Sequence, residues 1–174
     1  FRRVLFRSIC AGQGYDASKK FVVNAFEEFK KQKLTDICGR KSIKEYTKYV
    51  PDPIEKYIEQ GFNYQNAGGI FQSKISLAYN YMLAKYKLPY TPIVNGTKFN
   101  YVYVKPLNRN NIEAIAFIGN WPAEFDKVFE IDYEKMFRKT FIPVIENMFK
   151  INKWIGEKET IDLEEDSALD GFFE

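Results

Sequence analysis

The 174 residues predict an α+β fold: a helical domain carrying a small antiparallel β-hairpin or sheet. Two observations carry that reading. Residues 18–31, 72–87 and 133–151 place apolar side chains at helical spacing. Between the last two, after an Asn95-Gly96 turn signal, the period changes to two.

Residues 18–31 put Phe21, Val22, Ala25, Phe26 and Phe29 on one face and Lys and Glu on the other, with Asp16 or Ser18 available as a cap. Residues 34–47 contain the basic run Arg40-Lys41-Ser42-Ile43-Lys44. Pro51 and Pro53 punctuate, residues 54–60 suit a short helix, and Gly68-Gly69 breaks the chain. In 72–87, Ile75, Ala78, Tyr79, Met82, Leu83 and Tyr86 form one apolar stripe. Beyond Asn95-Gly96, a hairpin turn signal, Phe99, Tyr101 and Tyr103 alternate with Asn100, Val102 and Val104, as in a strand. Residues 112–118 read as another strand after the polar loop 108–111. In 133–151 the stripe runs through Tyr133, Met136, Phe137, Thr140, Phe141, Val144, Ile145, Met148 and Phe149. Pro143 interrupts it, because its ring clashes with the carbonyl of Lys139, so a kink or two helices are expected there. No internal repeat is visible.

With 45% hydrophobic and 28% charged residues, the composition is that of a soluble globular chain, and 30 aromatic residues supply enough apolar surface for a core. No run of 18 apolar residues exists, so no transmembrane helix is expected. The chain has no histidine, which removes Ser-His-Asp and Cys-His catalysis and His-ligated zinc. Cys10 and Cys38 are too few for a disulfide framework, so a reduced, cytoplasmic setting is the default.

The opening octamer, FRRVLFRS, holds three of the six arginines in a chain with 20 lysines, and no methionine precedes Met82. It is also one reading frame through a common short-read sequencing adapter. Residues 1–8 are therefore read as adapter-derived and set aside from fold reasoning, and the rest as the C-terminal part of something longer.

Charge is unevenly spread. Residues 157–174 carry eight acids and one lysine, net −7, whereas residues 1–156 carry 25 basic and 15 acidic side chains, net +10. A basic body suits a polyanionic partner; an ordinary lysine-rich surface explains the same count. Residues 157–168, acidic and poor in apolar side chains, read as a flexible tether leading to the apolar cluster Leu169, Phe172 and Phe173.

Four segments, in order, resemble the C-terminal thumb region of family B replicative DNA polymerases of the T-even phage type. They are Leu34-Thr35-Asp36-Ile37 leading to Arg40; GGIFQSKISLAYN, residues 68–80; PIVNGTKFNYVYVK, residues 92–105, with its partner strand near 113–117; and IDYEKMFRKTFIPVIENMF, residues 131–149. Lys41 stands where that family has glycine, Gly69-Ile70 where it has Thr-Pro, and Gln72 and Lys74 where it has His and Arg. These swaps keep donors or charge but lose ring and guanidinium geometry. The resemblance implies a thumb-like domain over 9–156 and a parent DNA-directed DNA polymerase that binds Mg²⁺ through palm aspartates. It also implies double-stranded primer–template DNA as a partner, and the cytoplasm of an infected bacterial host as the setting. The palm motif and exonuclease carboxylates do not occur in these residues, so no catalytic residue is expected here.

Gripping a duplex needs sequence-independent phosphate contacts. The candidates are Arg40, Lys41 and Lys44; Gln72, Ser73 and Lys74 at a glycine-preceded helix N-terminus, where backbone amides suit a phosphate; Asn95, Lys98 and Lys105 around the expected hairpin; and Arg138 and Lys139 beside Pro143. Taken singly, each is as well explained as an ordinary exposed polar residue. Lys74, Lys98 and Lys139 stand out because the family pattern has a base there.

Residues 169–174 offer a second function. Leu169-Asp170-Gly171-Phe172-Phe173 has the Leu-x-x-Phe-Phe spacing of sliding-clamp-binding peptides, with one aliphatic and two aromatic anchors. The bland alternative is a tail docked on its own domain. The expected assembly is a monomer that meets DNA and the clamp, with no membrane. A stand-alone, non-enzymatic nucleic-acid-binding replication accessory protein is the alternative, and a purely structural interaction domain the third. Palm motifs upstream in the same reading frame would separate the first two.

Overall fold

The computed structural model describes residues 14–164. The adapter-like octamer and the expected clamp-binding peptide, with Leu169, Phe172 and Phe173, lie outside the described residues. The fold is α+β: helices and a three-stranded antiparallel sheet. Contacts divide the chain into two units, one from residues up to Gln32 together with those from Glu134 onward, the other Lys33–Tyr133.

The first unit is helical. Helix α1 (Tyr15–Lys30) buries Val22, Val23, Ala25, Phe26 and Phe29. It begins at Gly14, whose φ of 84° turns the chain into the helix without a side-chain cap. Asp16 and Ser18, expected as caps, are instead inside the first turn, and Ser18 is buried. Phe26 and Phe29 pack on Phe137, with ring centroids 5.1 and 5.3 Å apart, and Phe29 meets Phe141 edge-on at 5.7 Å. Those partners belong to α6 (Tyr133–Thr140) and to its junction with α7 (Ile142–Ile151). Pro143 falls in the first turn of α7, where its missing N–H costs least, and the helical run divides in two as expected.

In the second unit, α2 (Leu34–Ile37) leads into β1 (Gly39–Ile43), and α3 (Tyr46–Tyr49) and α4 (Ile54–Gln60) follow. Helix α5 (Phe71–Tyr86) then precedes β2 (Thr97–Tyr103) and β3 (Ala114–Phe117). The sheet order is β1-β2-β3, both pairs antiparallel. β1 is an edge strand; β3 is buried along its whole length.

Two expectations change here. First, α5 is not a one-sided stripe. Every residue from Ile75 to Leu83 is buried, because α5 packs against the sheet on one side and against α4 on another. Its polar side chains are satisfied locally: the Ser76 hydroxyl donates to Gln72 O at 2.6 Å, and Asn80 exchanges two 2.8 Å hydrogen bonds with the backbone of Ile93. Second, Asn95-Gly96 does form a turn, closed by Thr97 N–H to Val94 O at 3.1 Å, with Gly96 at φ 82°. It does not join two neighbouring strands. The partner of β2 on that side is β1, far earlier in the chain, and Gly96 N–H reaches Ile43 O at 2.7 Å. The true hairpin is β2–β3, whose connecting loop is organised by Asn108: its side chain accepts from Ile112 N–H and donates to the carbonyls of Lys105 and Ile112.

Candidate nucleic-acid interface

Antiparallel pairing sets which side chains of β1 and β2 meet. Arg40 lies opposite Asn100, Lys41 opposite Phe99 and Ser42 opposite Lys98. Direct partners share a face, so Arg40, Ser42, Lys98 and Asn100 emerge together. The surface there dips into a basin of about 350 Å³ lined by Arg40, Lys41, Ser42, Lys98, Phe99, Asn100 and Gly119. None of these lining residues is acidic. Asn100 anchors the rim by donating to Gly119 O at 3.0 Å. Arg40, Lys41 and Lys98 are exposed, and Lys44 is exposed just beyond the end of β1. Beside them, burial pushes the Cys38 thiol up, with the positive charge of Arg40 pulling the other way.

The geometry suits anion binding. Two cationic side chains, Arg40 and Lys98, share this face of two adjacent strands, and Ser42 and Asn100 add neutral hydrogen-bonding groups, whereas Lys41, although it lines the basin, belongs by register to the opposite face. Basic residues on an edge strand also block strand-to-strand aggregation, so the same charges serve the fold.

The other expected contacts fare differently. Ser73 is fully buried, and its hydroxyl donates to Ile70 O at 2.8 Å, so its side chain is closed to a phosphate. The amides of Ser73 and Lys74 both bond to Ile70 O, which removes them from the expected anion cradle. Gln72 is half-buried, and the Lys74 ammonium lies over the Tyr64 ring, 4.8 Å from its centroid. Asn95 holds the turn against α3: its side chain accepts from Thr47 N–H at 3.0 Å and donates to the Thr47 hydroxyl at 3.2 Å. Lys105 forms an ion pair with Glu130.

Arg138 and Lys139 belong to the helical unit, and Lys139 is exposed. Arg138 is committed twice, to Glu134 at 2.8 Å and to Ile161 O at 3.1 Å. The second contact alters the picture of the acidic segment. Over its described part, residues 157–164, it is fastened to the unit: Ile161 N–H donates to Glu146 at 3.1 Å, and Ile161 and Leu163 are buried.

Sequence reasoning missed Ser42, Asn100 and Gly119 as basin residues, because only the pairing of β1 with β2 brings them together. It also missed the glycine at 39. Tyr101 is its direct partner, and a Cβ at 39 would overlap the Tyr101 ring.

Among the described residues, no helix is long and apolar enough to cross a membrane. Compared with protein-family models the chain matches none, and no curated protein sequence matches it.

Proposed function

We propose that the chain is a duplex-gripping module, the thumb-like part of a family B DNA-directed DNA polymerase of T-even phage type, working in the cytoplasm of an infected bacterial host. The observation that carries this is the basin between β1 and β2, where Arg40 and Lys98 meet without a carboxylate among the lining residues. Phosphates of primer–template DNA are the ligands, and no base is read. Lys44 extends the positive edge. Lys74 and Lys139 are secondary contacts, while Lys105 and Arg138 act chiefly within the fold. Residues 169–174 serve as the clamp-binding peptide.

The parent activity implies Mg²⁺. Among the described residues, no three His, Cys, Asp or Glu side chains are grouped to hold a metal ion. The described residues do not fit that role.

The test is fluorescence anisotropy of the 174-residue chain on a labelled primer–template across a salt series. If Arg40, Lys44 and Lys98 each meet a phosphate, the log–log slope is about −2.7. A slope near zero overturns the duplex-grip reading.

A further inference from the structure

The pairing that sends Arg40 and Lys98 to one face of the sheet sends Gly39, Lys41, Phe99, Tyr101 and Tyr103 to the other. Phe99 is closed off from solvent, as a core ring should be, but Tyr101 and Tyr103 are only half-buried. Phe71, at the start of α5, adds a third half-buried ring. It stands edge-on to Tyr101 at 5.3 Å and roughly parallel to Tyr103, with centroids 6.1 Å apart and planes 30° apart. The three rings support one another while each keeps some open surface.

Charge flanks this cluster. Lys41 is exposed, two pairs along from Gly39–Tyr101 and so on the same face. Lys74 follows Phe71 by one helical turn and covers Tyr64, which neighbours Tyr103. Carboxylates also lie nearby: Glu113 is beside Tyr64, and Asp132 N–H donates to Tyr103 O at 2.9 Å.

We infer that this aromatic face is a second binding site, which stacks the unpaired bases of a single nucleic-acid strand while Lys41 and Lys74 meet its phosphates. Rings on a strand flanked by lysines suit that ligand, since every base offers a π-face and the contact needs no particular sequence. A duplex has its bases already stacked on one another and offers these rings nothing. The site is therefore distinct from the duplex basin on the opposite face and does not rest on it.

The wild-type chain is irradiated with a single-stranded oligonucleotide carrying 5-iodouracil, then digested with trypsin. Crosslinks are expected on the peptide 99–109, which holds both tyrosines, since Pro106 blocks cleavage after Lys105. In parallel, Tyr101→Leu with Tyr103→Leu is expected to weaken single-strand binding about tenfold or more. Tyr101→Phe with Tyr103→Phe keeps the rings and the affinity. Crosslinks that are absent or map elsewhere overturn the proposal. So does a leucine variant that keeps its far-UV circular dichroism and binds the single strand like wild type. If the leucine variant does not fold, the wild-type crosslink decides. A flat salt slope on duplex with the crosslink present removes only the duplex reading.

Discussion

The phenol ring of Tyr101 lies across Gly39, its direct partner in the β1–β2 pairing. A residue with no side chain makes room for a ring that covers the neighbouring strand. The contact favours one register, and that register places Arg40 opposite Asn100 and Ser42 opposite Lys98. Gly39→Ala puts a methyl group where the ring is. It is expected to destabilise the fold by about 1–3 kcal/mol, read as a lower urea midpoint. Because the strand pair builds the basin, duplex affinity is expected to fall as well.

Asn80 and Ile93 make the second tie in this unit, two reciprocal 2.8 Å bonds in a buried setting. Asn80→Ala leaves both the N–H and the C=O of Ile93 without that partner. The expected loss is about 2–4 kcal/mol, measured by equilibrium denaturation. A loss below half a kilocalorie would mean that water replaces the amide.

Charge removal separates the expected phosphate contacts into two groups. Arg40→Gln and Lys98→Gln together are expected to flatten the duplex salt slope by about 1.8. Lys105→Gln, which loses the pair with Glu130, is expected to leave the slope nearly unchanged. Equal effects from the two sets would show that the basin has no special role.

Two buried phenols predict the alkaline behaviour. Burial, the larger cause in both, pushes Tyr64 and Tyr79 up to about 12, with Glu113 and Tyr103 adding to the first and Tyr90 to the second. An unfolded tyrosine titrates near 10, so the fold favours the neutral phenol. The resulting stability is whole below about pH 10 and is lost as pH rises through 10 towards 12. Phenolate absorbance should show a late-titrating fraction, reduced in Tyr64→Phe and Tyr79→Phe. Titration of all tyrosines together near 10 would contradict the burial of both.

Arg138 and Glu146 hold the carbonyl and the amide of Ile161, one backbone group each. Arg138→Gln is expected to release the 157–164 segment, seen as faster trypsin cleavage after Lys158 and faster amide exchange at Ile161. Duplex affinity should change little. Deleting residues 169–174 is expected to abolish sliding-clamp binding with DNA affinity intact; clamp binding that survives the deletion contradicts the peptide's proposed role.

The helices were legible because their signals are local. Phe26 and Phe29, or Phe137 and Phe141, repeat at helical spacing whatever else the chain does. Pro143 marks a division that any helix would suffer. β1 was not legible: of Gly39, Arg40, Lys41, Ser42 and Ile43 only the last is apolar, and an edge strand carrying charge has no alternating signature. The all-round burial of α5 was hidden for a related reason, since Ser73, Ser76 and Asn80 look like a solvent face until their hydrogen-bond partners are known.

The sequence by itself determined the α+β class, the sites of the main helices, the basic body with its acidic end, and the exclusion of histidine chemistry. Those follow from composition and short-range periodicity. Only the tertiary structure decided which basic side chains lie together. It brought Arg40 and Lys98 to one basin, sent Lys41 to the opposite face, and gave Ser73, Asn95, Lys105 and Arg138 to partners inside the fold. The physical reason is that grouping depends on strand pairing between segments far apart in the chain. No local pattern encodes where a side chain will find its partner.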